Sequence, residues 1–293
     1  MFKYNLLLFT LISLVVAILP SCGSDPEPRT SIFFASGNSL ITQNQSVTGG
    51  QVFSTSVYAE SGVGNQLKNF KITCIYDSIA RDTIVYLDST LQASEFGLVF
   101  TFATRNLNGK ETWIYSVKDE KDVEASRRYT LTTTSTVNVA TQPFYNFSSY
   151  FYHKSALDNL QYFALQDGSA YPGYAVRNNA ALKSKVDFYF NEDAAKVISV
   201  QALTGTDTKF KNTALTTTEF SDTRTLAALQ AIFNNSNAAS ENALFNLRKN
   251  QIIAFKSKNR TGIMRITAIE KTFDAVKNDS TLVQMRYDVK TEK

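Results

Sequence analysis

Apolar residues recur at every second position along most of this chain, the period of a strand with one face buried. Phe53, Thr55, Val57 and Ala59 share one face, as do Phe70, Ile72, Cys74 and Tyr76, and again Trp113, Tyr115 and Val117. The segments 31–34, 52–59, 67–76, 83–87, 96–104, 113–117 and 129–134 are set apart by turn residues and predict a run of short strands. Asn106-Leu107-Asn108-Gly109-Lys110 predicts a tight hairpin between the strands at 96–104 and 113–117.

Strands at this spacing suggest an immunoglobulin-like β-sandwich over 31–136. Residues 137–143 read as a linker, and 144–293 as an α+β domain with an antiparallel sheet and one or two helices. Strands are expected at 162–165, 185–190 and 199–203, with turns at 166–168 and 171–174. Asp222 can cap a helix over 222–233, where Leu226, Leu229, Ile232 and Phe233 recur at helical spacing. A shorter helix over 240–247, capped by Ser240, is also expected. The end reads as a meander of strands at 251–255, 263–269 and 281–289. In the last, Val283, Met285, Tyr287 and Val289 face one way and Gln284, Arg286, Asp288 and Lys290 the other, so one wall should pack and one meet water.

The start of the chain has a different pattern. Lys3 precedes an almost wholly apolar run, 6–18, of about 13 residues, too short for comfortable passage through a ~30 Å hydrocarbon core but sized for a signal peptide. Leu19-Pro20-Ser21-Cys22 follows and resembles the bacterial lipobox, with Pro20 where that family carries a small residue. The resemblance implies that 1–21 are removed, that the Cys22 sulfur takes diacylglycerol, and that the new amine is acylated. Two or three acyl chains anchor stably where one is marginal. Residues 22–30 would then be a lipidated leash, held extended by Pro26 and Pro28. The expected location is the cell envelope, on the outer membrane, facing the periplasm or the exterior. Asp25 and Glu27 loosely resemble the acidic export signal of Bacteroidota surface lipoproteins.

Composition mostly removes possibilities. The formal charge of +4 is small and the basic residues are scattered, which argues against a nucleic-acid partner. If Cys22 is lipidated, Cys74 has no partner within the chain and is read as a buried thiol. His153 is the only histidine, so a zinc site of His and Cys ligands is not assembled, and no nucleophile-elbow motif accompanies it. No glycine-rich nucleotide motif occurs, and no cofactor or metal is expected. Asp119, Glu120 and Asp122 lack the ligand spacing of a calcium loop and read as a solvated turn. Asp167, Asp187, Glu192 and Asp193 are the acids from which a glycosidase pair would be drawn, against the plainer reading as turn and strand-edge carboxylates. Trp113 is read as core. The aromatic clusters containing Tyr150, Tyr152, Tyr171 and Tyr174 are the expected exposed contact surfaces.

The first domain resembles immunoglobulin-like modules of Bacteroidota cell-surface lipoproteins, through the glycine before Val52, the Asn108-Gly109 pair and the segment Trp113-Ile114-Tyr115-Ser116-Val117-Lys118-Asp119. The second is similar to C-terminal domains of such lipoproteins in Val186-Asp187-Phe188-Tyr189-Phe190 and in Ile252-Ile253-Ala254-Phe255-Lys256 with Gly262-Ile263-Met264-Arg265-Ile266. That family has no assigned reaction, so the resemblance implies architecture. Asp77-Ser78-Ile79, Asp82-Thr83-Ile84, Asp88-Ser89-Thr90 and Asp279-Ser280-Thr281 match the pattern Bacteroidota use for O-glycosylation, which implies modification at Ser78, Thr83, Ser89 and Ser280. The leading expectation is a non-enzymatic lipoprotein anchored to the membrane and binding a glycan or a protein. The alternatives are a carbohydrate-active enzyme or its accessory subunit, and a purely structural envelope component.

Overall fold

The alternating segments form strands. β1 (Ser31–Ala35), β3 (Val52–Glu60) and β6 (Glu95–Ala103) make a three-stranded antiparallel sheet. A five-stranded sheet runs in the order β2 (Gln45–Thr48), β8 (Glu124–Thr134), β7 (Gly109–Asp119), β4 (Leu67–Asp77) and β5 (Asp82–Ala93). All its pairs are antiparallel except β2 with β8. The two sheets close face to face over Val57, Ile72, Phe100, Phe102, Trp113 and Tyr115, a β-sandwich. The computed structural model describes residues 29–77, 82–135, 143–152, 160–274 and 279–293. The segment 1–21, Cys22, most of the leash, all of the linker but its last residue, and His153 lie outside them.

The expected hairpin at Asn108-Gly109 is not formed. β6 pairs with β3 and β7 pairs with β4 and β8, so the chain between β6 and β7 crosses from one sheet to the other. The Arg105 backbone N–H donates to Glu111 Oε1 at 2.7 Å, and Asn106 Nδ2 donates to the Gly168 carbonyl at 2.6 Å. The turn residues hold a crossover to the second half of the chain.

That half builds two more five-stranded antiparallel sheets. One has the order β11 (Ser169–Tyr171), β10 (Tyr162–Ala164), β12 (Phe188–Glu192), β13 (Ile198–Ala202), β15 (Ala243–Phe245). The other has the order β14 (Lys209–Asn212), β16 (Ile252–Ser257), β17 (Arg260–Asp274), β18 (Asp279–Glu292), β9 (Phe144–Tyr152). Phe151, Phe163, Phe188, Phe190, Phe255 and Tyr287 fill the space between them. Two short helices, α1 (Gly173–Asn178) and α2 (Ala180–Lys185), join β11 to β12. Two others, α3 (Thr217–Asp222) and α4 (Leu226–Asn235), cover the far side of the second sheet with Phe220 and Leu229 on Phe144, Ile252, Ala254 and Ile263. Burial on both faces explains why β16 opens on the unbroken apolar run Ile252-Ile253-Ala254-Phe255. The fold is mostly β throughout.

Three local expectations are corrected. The helix expected over 222–233 is α4, which starts at Leu226 with Thr225 rather than Asp222 as its cap, the Thr225 hydroxyl accepting from the Ala228 N–H; Asp222 instead ends α3, which Thr216 and Glu219 open with a capping box. The helix expected over 240–247 is strand β15, whose Leu244 is buried opposite Val200. Lys290, expected on the wet wall of β18, is only 6% exposed. Its ammonium donates to the carbonyls of Phe220, Ser221 and Thr223 at 2.6, 3.1 and 2.8 Å, satisfying the end of α3. Burial lowers its pKa from the ordinary lysine value.

Candidate functional site

The tyrosines expected at the surface separate into two groups. Tyr171 and Tyr174 are buried, which corrects their reading as ligand contacts. Their segment is strand β11 and helix α1 rather than an open turn, and their rings pack on the first sandwich, Tyr171 at 6.1 Å from Tyr86 and Tyr174 at 6.3 Å from Phe100. Tyr150 is half-buried on β9 with the Arg286 guanidinium 5.7 Å from its ring centroid. Tyr152 ends β9 opposite Gln284, and its side chain lies outside the described residues. Of the hydroxyls, Thr83 is exposed and Ser89 half-exposed on β5, an edge strand. Ser280 pairs with Phe273 near the tip of the β17–β18 hairpin, while Ser78 falls outside the described residues.

Asp187, Asp167 and Asp193 have separate partners, while both carboxylate oxygens of Glu192 are buried without a hydrogen bond among the described residues. Asp187 is buried and accepts from the Leu165 N–H at 2.7 Å and the Ser257 hydroxyl at 3.0 Å, with Lys258 Nζ at 3.6 Å. Asp167 accepts from the Ser169 N–H at 3.0 Å and faces Arg105 Nε at 3.9 Å. Asp193 accepts from the Val197 N–H in a turn, and Glu192 is buried at the end of β12. Asp119 is saturated by Thr30, Asn65 and the N–H groups of Lys121 and Val123. Asp122 pairs with Lys68 and Lys118.

A buried polar joint ties the two halves together. The Arg105 guanidinium lies 3.7 Å over the Tyr76 ring, and Glu111, buried beside it, accepts from the Trp113 indole N–H at 3.2 Å. Burial raises the Glu111 carboxyl above its ordinary range, against the pull of Arg105. Without solvent access this joint serves the architecture.

A cleft of about 630 Å³ opens between β14, α3 and α4, walled by Leu215 and Ile232 and rimmed by amides. Much of its polar lining is committed to the fold. Asn212 Oδ1 accepts from Gln251, the Ser236 hydroxyl donates to the Asn212 carbonyl, Thr213 donates to the Ile252 carbonyl, and Glu219 closes the α3 capping box.

The outward face of the three-stranded sheet differs. Phe33, Tyr58 and Val99 are 42%, 37% and 53% exposed there. Pairing sets Phe33 opposite Tyr58 and Tyr58 opposite Gly97, so one row across the sheet reads Phe33, Tyr58, Gly97. The row beside it reads Ser31, Glu60, Glu95. Tyr58 donates to Glu95 Oε2 at 2.6 Å and Ser31 donates to Glu60 Oε1 at 3.0 Å. The hydrogen bond to Glu95 raises the Tyr58 phenol above its usual pKa. Sequence reasoning passed over these residues. The available signal was that Tyr58 lies out of phase with Phe53, Thr55, Val57 and Ala59, which puts an aromatic ring on the polar face.

No family model and no curated protein matches the chain. Among solved structures, a DUF4466 family protein from Parabacteroides merdae ATCC 43184 aligns over 92% of this chain and 100% of its own, at 10% identity and a TM-score of 0.37. Spo0M, a sporulation control protein from Bacillus subtilis, aligns over 88% of this chain and 90% of its own, at 7% identity and a TM-score of 0.27. Likenesses this loose carry no argument about fold or function.

Proposed function

We propose that this chain is an exported lipoprotein, held to the outer membrane through Cys22, whose folded body is a non-enzymatic binding module for a glycan or protein partner in the cell envelope. The anchor rests on the apolar run 6–18 followed by Leu19-Pro20-Ser21-Cys22. No helix of the described residues is long and apolar enough to cross a membrane. The sheet membership of the first sandwich supports an immunoglobulin-like reading: β3 lies with β6, and β4 lies with β7 and β8, as strands B and E, and C, F and G, divide in that fold. O-glycosylation at Ser78, Thr83, Ser89 and Ser280 belongs to the same proposal, favoured by the exposure of Thr83 on edge strand β5.

The single observation that carries the binding role is the Phe33–Tyr58 pair on a solvent-facing sheet. Exposed aromatic rings grouped on one surface mark interaction sites more often than isolated ones do. The test screens the purified protein against glycan and envelope-protein arrays, beside a Phe33→Ser/Tyr58→Ser variant checked for an unchanged melt. A ligand retained by wild type and lost by the variant supports the reading. Equal binding by both proteins, or no binding by either, overturns it.

A further inference from the structure

We infer that the Phe33–Tyr58–Gly97 row is a stacking subsite for a neutral sugar ring, with Glu60 and Glu95 as acceptors for its hydroxyls; this rests on the binding role proposed above.

Gly97 is the key residue. It sits inside β6, where glycine weakens a strand and offers no side chain to pack. Its backbone is not in the left-handed region, and a Cβ built on it would meet only the Val57 carbonyl oxygen, 4.0 Å away. Neither conformation nor packing asks for glycine. A bare position inside a strand is what close approach by an outside group requires. Here the bare position lies directly opposite Tyr58, leaving a step beside the ring.

A second unfavourable choice adjoins it. Glu60 and Glu95 are directly opposed across the strands, and like charges so placed destabilise a sheet. The three strands contain no lysine or arginine to offset them. Two locally costly choices in neighbouring rows indicate a shared purpose outside the fold.

The chemistry selects the occupant. Paired carboxylates with no lysine or arginine on the same three strands repel phosphates, nucleic acids and anionic lipid surfaces. They also disfavour a two-fold pairing of this face with a second copy, which brings the acidic row near its own image. Two aromatic residues paired in one cross-strand row do not supply the surrounding walls that an aromatic cage gives a cation. A pyranose ring has an apolar C–H face to lie against Tyr58 and Phe33, and edge hydroxyls to donate to carboxylate oxygens. Gly97 gives the ring room to lie flat.

The test is calorimetric titration of the full-length processed protein with soluble β-1,4-glucan, β-1,4-mannan and α-1,4-glucan oligosaccharides. Wild type should bind at least one of them, with little change at about 0.5 M NaCl. Tyr58→Ala and Gly97→Val should each weaken that binding about tenfold or more. Gly97→Val puts a strand-favouring residue where there is open space, so it should melt no lower than wild type, and its loss of binding would not be a folding defect. Full affinity in Gly97→Val overturns the subsite. Should no oligosaccharide bind while a protein ligand is lost with Tyr58→Ala, the sugar assignment falls and the binding role stands. Salt-sensitive binding of a lysine-rich peptide at this row, or a dimer in sedimentation that Tyr58→Ala dissolves, equally overturns the sugar assignment.

Discussion

Asn106 Nδ2 donates to the Gly168 carbonyl oxygen at 2.6 Å, a bond between residues 62 apart in sequence that joins the first sandwich to the turn between β10 and β11. The bond is buried, and around it Ala164, Tyr171, Tyr174, Ala175, Val176 and Leu182 share one apolar cluster with Phe100 and Trp113. Asn106→Ala should therefore cost about 1–3 kcal/mol, the range for leaving a buried acceptor unmet. Because the cluster runs through both halves, denaturation followed by Trp113 fluorescence should coincide with that followed by far-ultraviolet circular dichroism. Two separated transitions would contradict the shared core.

Two glycines should respond with opposite signs. Gly168 has φ +68°, and a Cβ there would sit 2.6 Å from Phe147 Cγ. Gly168→Ala should lose more than about 1 kcal/mol. Gly97→Ala, with space around it, should gain about 0.5–1 kcal/mol from reduced unfolded-chain entropy. Urea midpoints of the two variants decide both, and a destabilised Gly97→Ala would show that the fold itself needs that glycine.

Lys290→Met keeps the length of the side chain but withdraws the donor from three carbonyls at the end of α3. The expected loss is about 2–3 kcal/mol, as for hydrogen bonds to a charged group. Hydrogen exchange should show the loss concentrated in α3 and the adjoining end of β18. Unchanged protection of α3 would contradict the capping role.

Two buried carboxyls act oppositely with pH. The Thr30 hydroxyl, with the N–H groups of Val123 and Lys121 and the Asn65 amide, holds Asp119 below the usual carboxylate range. A depressed folded pKa gives stability that is complete above the unfolded value near 3.9 and is lost as pH falls through the folded value. For Glu111, raised by burial, the native state binds its proton more readily, so stability is lost as pH rises from about 4.3 through the folded value. Asp119→Asn should thus melt below wild type at neutral pH, with the gap narrowing on acidification. A gap independent of pH would rule out the Asp119 contribution.

Much of this fold was legible because one-sided burial leaves a period of two. Val57 and Ala59, Phe70 through Tyr76, and Trp113 through Val117 are buried on the faces their alternation indicates. The errors arose where a partner distant in sequence took over a local signal. Asn108-Gly109 has hairpin chemistry, yet the contacts of Arg105 and Asn106 turn that segment into a crossover. Lys290 looks solvated until α3 supplies its carbonyls, and Tyr171 and Tyr174 look like a surface turn until the first sandwich covers them. The candidate site was hidden for the same reason. Phe33, Tyr58 and Gly97 are spread over 64 residues of sequence, and only the pairing of β1, β3 and β6 brings them into one row.

Attachment to the membrane through Cys22 is tested most directly by feeding an alkyne-tagged palmitate to cells making the wild-type chain or Cys22→Ala, then measuring label and intact mass. Wild type should carry the label, begin at Cys22 and fractionate with membranes, while Cys22→Ala should be unlabelled and leave that fraction. A wild-type protein that is unlabelled and keeps residues 1–21, or a Cys22→Ala variant labelled as strongly as wild type, would contradict the anchor.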